Sequence, residues 1–225
     1  MKRIAIAIDG PAAAGKSTIA KIVAKKLGYV YIDTGAMYRS VTWYALHQGV
    51  DCQDEKKVCA LVPDIHIELK ENGMVLCNHQ DVTKEIRLDD VTKNVSYIAS
   101  YRDVRLAMVD LQRKMAESVS VVMDGRDIGT YVLPNAEVKI FQVATVHERA
   151  KRRYLENLEK GIACNLEEIE QDLIRRDNID SSRAFAPLRP AEDSILLDTS
   201  NMSINEVVKA VISIIEKKLG ELEWV

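Results

Sequence analysis

Gly10, Pro11, Ala12, Ala13, Ala14, Gly15, Lys16 and Ser17 set two glycines, an amine and a hydroxyl in the spacing G-x-x-x-x-G-K-[ST], directly after the apolar run Ile4 to Ile8. A loop of this kind wraps phosphates with its backbone N–H groups, and the helix that follows aims its positive end at the same anion. Lys16 is placed to reach β- and γ-phosphates. Ser17 offers a hydroxyl to Mg²⁺, a cation that prefers oxygen ligands and keeps several waters. The expected ligand of Gly10 through Thr18 is therefore a nucleoside triphosphate.

Two further clusters carry an acid, a glycine and an arginine just after apolar runs. Asp33-Thr34-Gly35 leads to Arg39, and Asp124-Gly125-Arg126-Asp127 follows Val119 to Met123. In an α/β protein such positions fall at the C-terminal edge of the sheet, where ligands bind. Two clusters at that edge predict one pocket. Asp124 stands where a Walker B acid would orient magnesium-bound water, and Arg39 and Arg126 can fork onto phosphate oxygens.

Between Glu148 and Arg189 lie Arg149, Arg152, Arg153, Arg175, Arg176, Arg183 and Arg189. Runs of charge usually mark a solvated helix face. Here the density predicts a lid whose guanidinium groups close over a transferring phosphoryl group and exclude water. Arg176, Asp180 and Arg183 are spaced to share one helix face.

The elements that hold these groups are legible from hydrophobic periodicity. Short apolar runs at Ile4 to Ile8, Tyr29 to Ile32, Val119 to Met123, Val138 to Val143 and Ile195 to Leu197 alternate with helical patterns, which predicts a parallel sheet covered by helices. A helix is expected from Thr18 to Leu27 with Gly28 as its C-cap. Thr145 with Glu148, Asn165 with Glu168, and Ser203 with Glu206 read as helix starts, the last helix ending at Gly220 with Ile204, Val207, Val208, Val211, Ile212 and Ile215 on its core face. Ile65 to Leu69 and Met74 to Cys77 flank Asn72-Gly73, which predicts an antiparallel hairpin inserted in the α/β rhythm. His47, His66, His79 and His147 have no partner motif, and Tyr131, Trp43 and Trp224 read as packing or surface aromatics.

With 225 residues, 47% of them hydrophobic, the chain can bury a substantial core as one domain with insertions. A formal net charge of −3 gives no basic footprint for nucleic acid. Cys52, Cys59, Cys77 and Cys164 lack C-x-x-C spacing, so reduced thiols are expected rather than zinc or redox use. No apolar stretch is long enough for a membrane span, and the expectation is a soluble, cytoplasmic monomer.

Taken together, Ile8 to Thr18, Asp33 to Arg39, Asp124 to Thr130 and Arg176 to Arg183 resemble the corresponding motifs of the bacterial cytidylate kinases, a group of nucleoside monophosphate kinases, over nearly the whole chain. The resemblance implies a P-loop kinase fold: an α/β core with a five-stranded parallel sheet and helices on both faces, a monophosphate-binding insertion with a small antiparallel hairpin, and a helical lid. It implies core segments 1–34, 106–147 and 188–225, a monophosphate-binding region at 35–105 and a lid at 148–187. The implied reaction moves the γ-phosphoryl of ATP to CMP or dCMP with Mg²⁺ held at Ser17 and Asp124. Contacts to the acceptor are implied for Thr34, Arg39, Ser96, Arg105, Arg126, Asp127, Arg176, Asp180 and Arg183, and catalytic roles for Lys16, Arg126, Arg153 and Arg176.

Base chemistry points the same way. Cytosine presents an amino donor beside two acceptors, which an acid (Asp127) and an arginine (Arg105 or Arg183) can match. Uracil would turn a carbonyl toward the acid, at a cost of about 1–3 kcal/mol, or roughly ten- to a hundredfold in preference. No dedicated base is expected, because the attacking phosphate oxygen is already anionic; positioning and charge neutralisation do the work. The competing expectations are a kinase for another small acceptor, UMP or shikimate, and a nucleotide-binding switch without an acceptor site.

Overall fold

The computed structural model describes residues 3–70 and 72–220; Trp224 lies outside them. In chain order the elements are β1 (Ala5–Asp9), α1 (Lys16–Leu27), β2 (Val30–Asp33), α2 (Thr34–His47), α3 (Glu55–Leu61), β3 (Ile67–Leu69), β4 (Val75–Cys77) and β5 (Gln80–Asp81). There follow α4 (Asp89–Ile98), α5 (Arg102–Ala116), β6 (Val121–Gly125), β7 (Val138–Val143), α6 (Val146–Glu159), α7 (Leu166–Ser182), β8 (Ile195–Asp198) and α8 (Ile204–Leu219).

Five strands pair in the order β2-β6-β1-β7-β8, all parallel, with β1 in the centre. Strands buried on both faces read as unbroken apolar runs, and Ile6, Ala7 and Ile8 are fully buried. One face of the sheet is covered by α1 and α8: Ile19, Val23, Val207, Val211 and Ile215 meet Ile6, Ile8, Val122 and Ile140. The other is covered by α5 and the loop after β6, where Val109, Ile128 and Val132 meet Ala7, Ile32 and Met123. Each such aliphatic side chain stabilises the fold by about 1.5–3 kcal/mol. On α8, Ile204 is an exception to the expected core face: it sits at the first turn and is exposed.

Helix starts follow their capping residues. Thr145, Asn165 and Ser203 each accept a backbone N–H of the first turn, and Ser203 with Glu206 makes the reciprocal pair. Helix α1 begins at Lys16, two residues earlier than its periodicity suggests, and Gly28 closes it in the left-handed conformation.

Between β2 and β6 the chain builds a second layer. Helices α2, α4 and α5 share a core of Met37, Val41, Val95, Ile98, Val104 and Met108. The expected hairpin is there as β3 and β4, antiparallel, with β5 added to make three strands. Its turn is longer than a two-residue Asn-Gly hairpin: Lys70 N donates to Met74 O at 2.9 Å, and Gly73 takes φ 85°. Between β7 and β8 the antiparallel pair α6 and α7 forms the arginine-rich arm. Among the described residues no helix is long and apolar enough to cross a membrane, and Cys52, Cys59, Cys77 and Cys164 are free.

Candidate active site

The C-terminal ends of β1, β2 and β6 open into a cavity of about 860 Å³, roofed by α6 and α7 and walled by α4. Its lining includes Ala13, Ala14 and Gly15 from the loop after β1, Lys16, Ser17 and Thr18 from the first turn of α1, Thr34 and Arg39 from α2, and Ser96 and Arg105 from α4 and α5. Asp124, Arg126 and Asp127 come from β6 and its exit, and Arg153, Arg176, Asp180 and Arg183 from the arm. The two acid-glycine-arginine clusters thus share one space. Gly10, Pro11 and Ala12 stand behind it, outside the lining.

The loop's shape depends on Gly10. Its φ is 150°, and a Cβ there would lie 2.0 Å from the Gln142 carbonyl oxygen of the neighbouring strand β7. Any side chain would push β1 and β7 apart. Lys16 Nζ donates to Pro11 O at 2.7 Å across the loop. Burial, with Arg126 nearby, lowers the Lys16 pKa to about 7. An anion in the cavity would restore its charge.

Ser17 Oγ donates to Asp124 Oδ2, and Tyr31 Oη donates to Asp124 Oδ1, both at 2.8 Å. Burial and the neighbouring Asp33 raise the Asp124 pKa to about 6. Ser17 and Asp124 are hard oxygen donors facing one point, which fits Mg²⁺ taking the rest of its shell from phosphate and water. Among the described residues no group of three or more His, Cys, Asp or Glu side chains forms a cage for a metal by itself. Thr34 Oγ1 donates to the Asp124 main-chain oxygen at 2.7 Å, so its proton joins the start of α2 to β6 and only its lone pairs face a ligand.

Three guanidinium groups crowd the middle of the cavity. Arg126 Nε is paired with Asp180 Oδ2 at 2.8 Å. Burial and then Arg176 lower the Arg39 pKa to about 9, while burial and then Arg126 lower that of Arg176 to about 10. Arg176 Nε is buried with no hydrogen-bond partner. A buried orphan donor beside like charges is what an anion of several oxygens would satisfy.

Deeper, Asp127 is 3% exposed and is gripped from two sides: by Arg105 Nη2 and, at 3.4 Å, by Arg183 Nη2. Both arginines also donate to Ala99 O. Arg183 is the C-cap of α7, just past its last helical residue, so the expected shared helix face holds for Arg176 and Asp180 while Arg183 reaches the cavity from the cap.

The arm's other arginines divide by task. Arg152 and Arg153 line the cavity; Arg149, Arg175 and Arg189 do not, which corrects the expectation that the whole set closes over a phosphoryl group. Arg149 donates to Ala12 O at 2.9 Å and pairs with Asp177 at 2.7 Å. Asp177 in turn accepts from Ala12 N at 3.3 Å, so the arm holds the phosphate loop by the N–H and the C=O of one residue, Ala12. Arg175 lies over the Tyr97 ring and donates to Lys93 O on α4. The four histidines keep ordinary roles: His66 and His79 pack together beside Glu68, His47 stacks on Trp43, and His147 pairs with Glu170.

Sequence spacing assigns no role to Tyr31, Asp177 or Asp9, and it groups Arg149 with the lid rather than with the phosphate loop that it holds. Asp9 stood in plain sight before Gly10, but as the polar end of an apolar run it read as a strand boundary. Tyr31 read as one more apolar residue of β2.

A family model described as cytidylate kinase matches residues 6–217. The cytidylate kinase of Bacillus cytotoxicus is 54% identical over 221 residues, covering 97% of this chain and 98% of that protein. That of Anoxybacillus flavithermus is 53% identical over 221 residues, with the same 97% and 98% covered. Among solved structures, an uncharacterized protein from Eubacterium ventriosum superposes with a TM-score of 0.53 at 15% identity, covering 96% of this chain and 99% of that one; this likeness concerns the fold.

Proposed function

The chain belongs to the cytidylate kinase family, and from that premise we propose that it transfers the γ-phosphoryl group of ATP to CMP or dCMP, giving CDP or dCDP and ADP. The observation that carries this reading is a single cavity that joins a phosphate loop to the buried Arg105–Asp127–Arg183 cluster. A phosphate loop without that cluster would fit many kinases.

In this reading residues 35–105 receive the monophosphate and 148–187 act as the lid. The loop from Gly10 to Thr18 binds ATP, its inner residues from Ala13 onward through main-chain N–H groups. Lys16 leaves Pro11 O for the β- and γ-phosphates. Ser17 and Asp124 would hold Mg²⁺, which would supply positive charge to offset that of the transferring phosphates. Arg39 and Arg126 hold the acceptor phosphate in line, and Arg153 and Arg176 meet the charge spread over the moving group. Asp127 accepts from the cytosine amino group, with Arg105, Arg183 and Ser96 around the ring's acceptors. Thr34 lines the entrance to that site, and Asp180, released from Arg126, turns toward the ribose. The enzyme is proposed to act as a monomer. Its free cysteines suit a reducing, cytoplasmic setting.

A coupled ADP-release assay with Mg-ATP and CMP, dCMP, UMP, AMP, GMP or shikimate tests this. Turnover confined to CMP and dCMP is expected. Turnover centred on UMP or another acceptor would keep phosphoryl transfer and remove the base assignment.

A further inference from the structure

Asp9 is the last residue of the central strand and immediately precedes the phosphate loop, yet it is not among the residues lining the cavity. Asp9 is 5% exposed, and its carboxylate reaches the turn that follows the neighbouring strand β6. There Oδ1 accepts from Ile128 N at 2.8 Å and Oδ2 from Gly129 N at 2.7 Å.

Those two amides open a single π-helical turn, Ile128–Val132, that starts directly after Asp127. The first amides of a helical turn have no partner inside it. Here both are held by one side chain from a residue 119 and 120 positions away. Wider-than-α turns of this kind are rare and concentrate at functional sites. The main chain leaving Asp127 is thus fixed by Asp9, while the Asp127 side chain is fixed by Arg105 and Arg183.

The other end of the tie is equally immobile. Gly10 is in contact with the Gln142 carbonyl region, so Asp9 cannot slide along the strand to follow a displaced turn. Gly129 completes the fit: a Cβ there would stand 3.4 Å from Asp9 Oδ2 and 3.1 Å from Lys139 Cδ.

We propose that Asp9 is a positioning residue for acceptor-base selection: by holding the two amides after Asp127 it sets where the Asp127 carboxylate meets the base. The inference rests on the reading of Asp127 given above. It assigns no contact between Asp9 and substrate. Asp9→Asn keeps the size, but its amide can accept from only one of the two N–H groups and turns its own NH₂ against the other, so the turn shifts.

The test is the ratio of kcat/KM for CMP to that for UMP at fixed Mg-ATP, in which donor-side effects cancel. In Asp9→Asn the ratio is expected to fall roughly tenfold, the size of one displaced buried hydrogen bond, toward the value in Asp127→Asn. Asp9→Ser, whose single short hydroxyl cannot reach both amides, should lower the ratio as well and serves if Asp9→Asn does not fold. A ratio within about twofold of the parent in the folded variants, with activity falling equally for both acceptors, would overturn the proposal. Should Asp127→Asn itself leave the ratio unchanged, the base-reading assignment fails and takes the proposal with it; that outcome is told apart by the Asp127 variant alone.

Discussion

Arg126 and Asp180 form an ion pair in the middle of the cavity, so the residue assigned to the acceptor phosphate arrives already compensated. An arginine that must trade one anion for another stabilises the transition state without leaving a bare charge in the empty site. Arg126→Ala should keep a cooperative unfolding transition while turnover with CMP falls about a hundredfold or more; near-normal turnover would remove its role. Asp9 permits a second prediction. Burial raises its pKa from 3.8 to about 7 against the pull of the Ile128 and Gly129 amides. Between those values the folded chain holds a proton that the unfolded chain has released. Its contribution to stability is thus complete below about pH 4 and lost as the pH rises through 7. Asn at this position exchanges no proton. The unfolding free energy of the parent minus that of Asp9→Asn should therefore fall from pH 4 to 7, by up to about 1.4 kcal/mol per unit, and level off above. Urea unfolding of both proteins at several pH values reads this directly, and a difference independent of pH would contradict it.

At the scale of elements, the arm and the phosphate loop are joined through one residue, Ala12. Arg149 is 3% exposed, pairs with Asp177 and donates to both Ala12 O and Ala144 O. Arg149→Ala strands Asp177 and two carbonyls, and is expected to lower stability by about 3 kcal/mol. It should raise the KM for ATP more than that for CMP, because Ala12 belongs to the donor loop; equal changes in both would argue for a purely structural role. How legible these elements are depends on where their determinants lie. The five core strands are readable as short, mainly apolar runs, clearest in β1 and β6 where burial on both faces demands it, and their ends shift by no more than two residues. Strand β5 is unreadable in Gln80-Asp81, two exposed polar residues that pair with β4 only because the preceding turn brings them there. The π-helical turn carries no local signature, and the side chain that holds its first two amides, Asp9, lies 119 and 120 residues away. The division of the arm's arginines is hidden for the same reason: helical spacing tells which of them share a face, and the neighbour across from that face decides whether the partner is Ala12, Tyr97 or a ligand. Of the candidate site, the motifs mark the ligand-facing residues well, while Tyr31, Asp9 and Asp177, which hold those residues in place, act over separations that no local pattern records.

For the whole molecule, two cores with separate constituents meet at the cavity. One is the sheet with α1 and α8; the other is the α2–α4–α5 layer. Ligands that touch both, together with the arm, tie these parts to one another and stabilise by mass action. The order β2-β6-β1-β7-β8 carries a consequence for how the enzyme is made. The phosphate loop hangs from β1, at residues 5–9, but both of β1's neighbours, β6 at 121–125 and β7 at 138–143, come from the second half of the chain. On a ribosome adding about 5–20 residues per second, β1 waits several seconds or more for its first partner. A nascent chain stalled before β6 has emerged should therefore not retain ATP on a nucleotide resin, whereas one extended past β8 should. The most recognisable motif in the sequence is among the first segments to be synthesised and among the last to become competent.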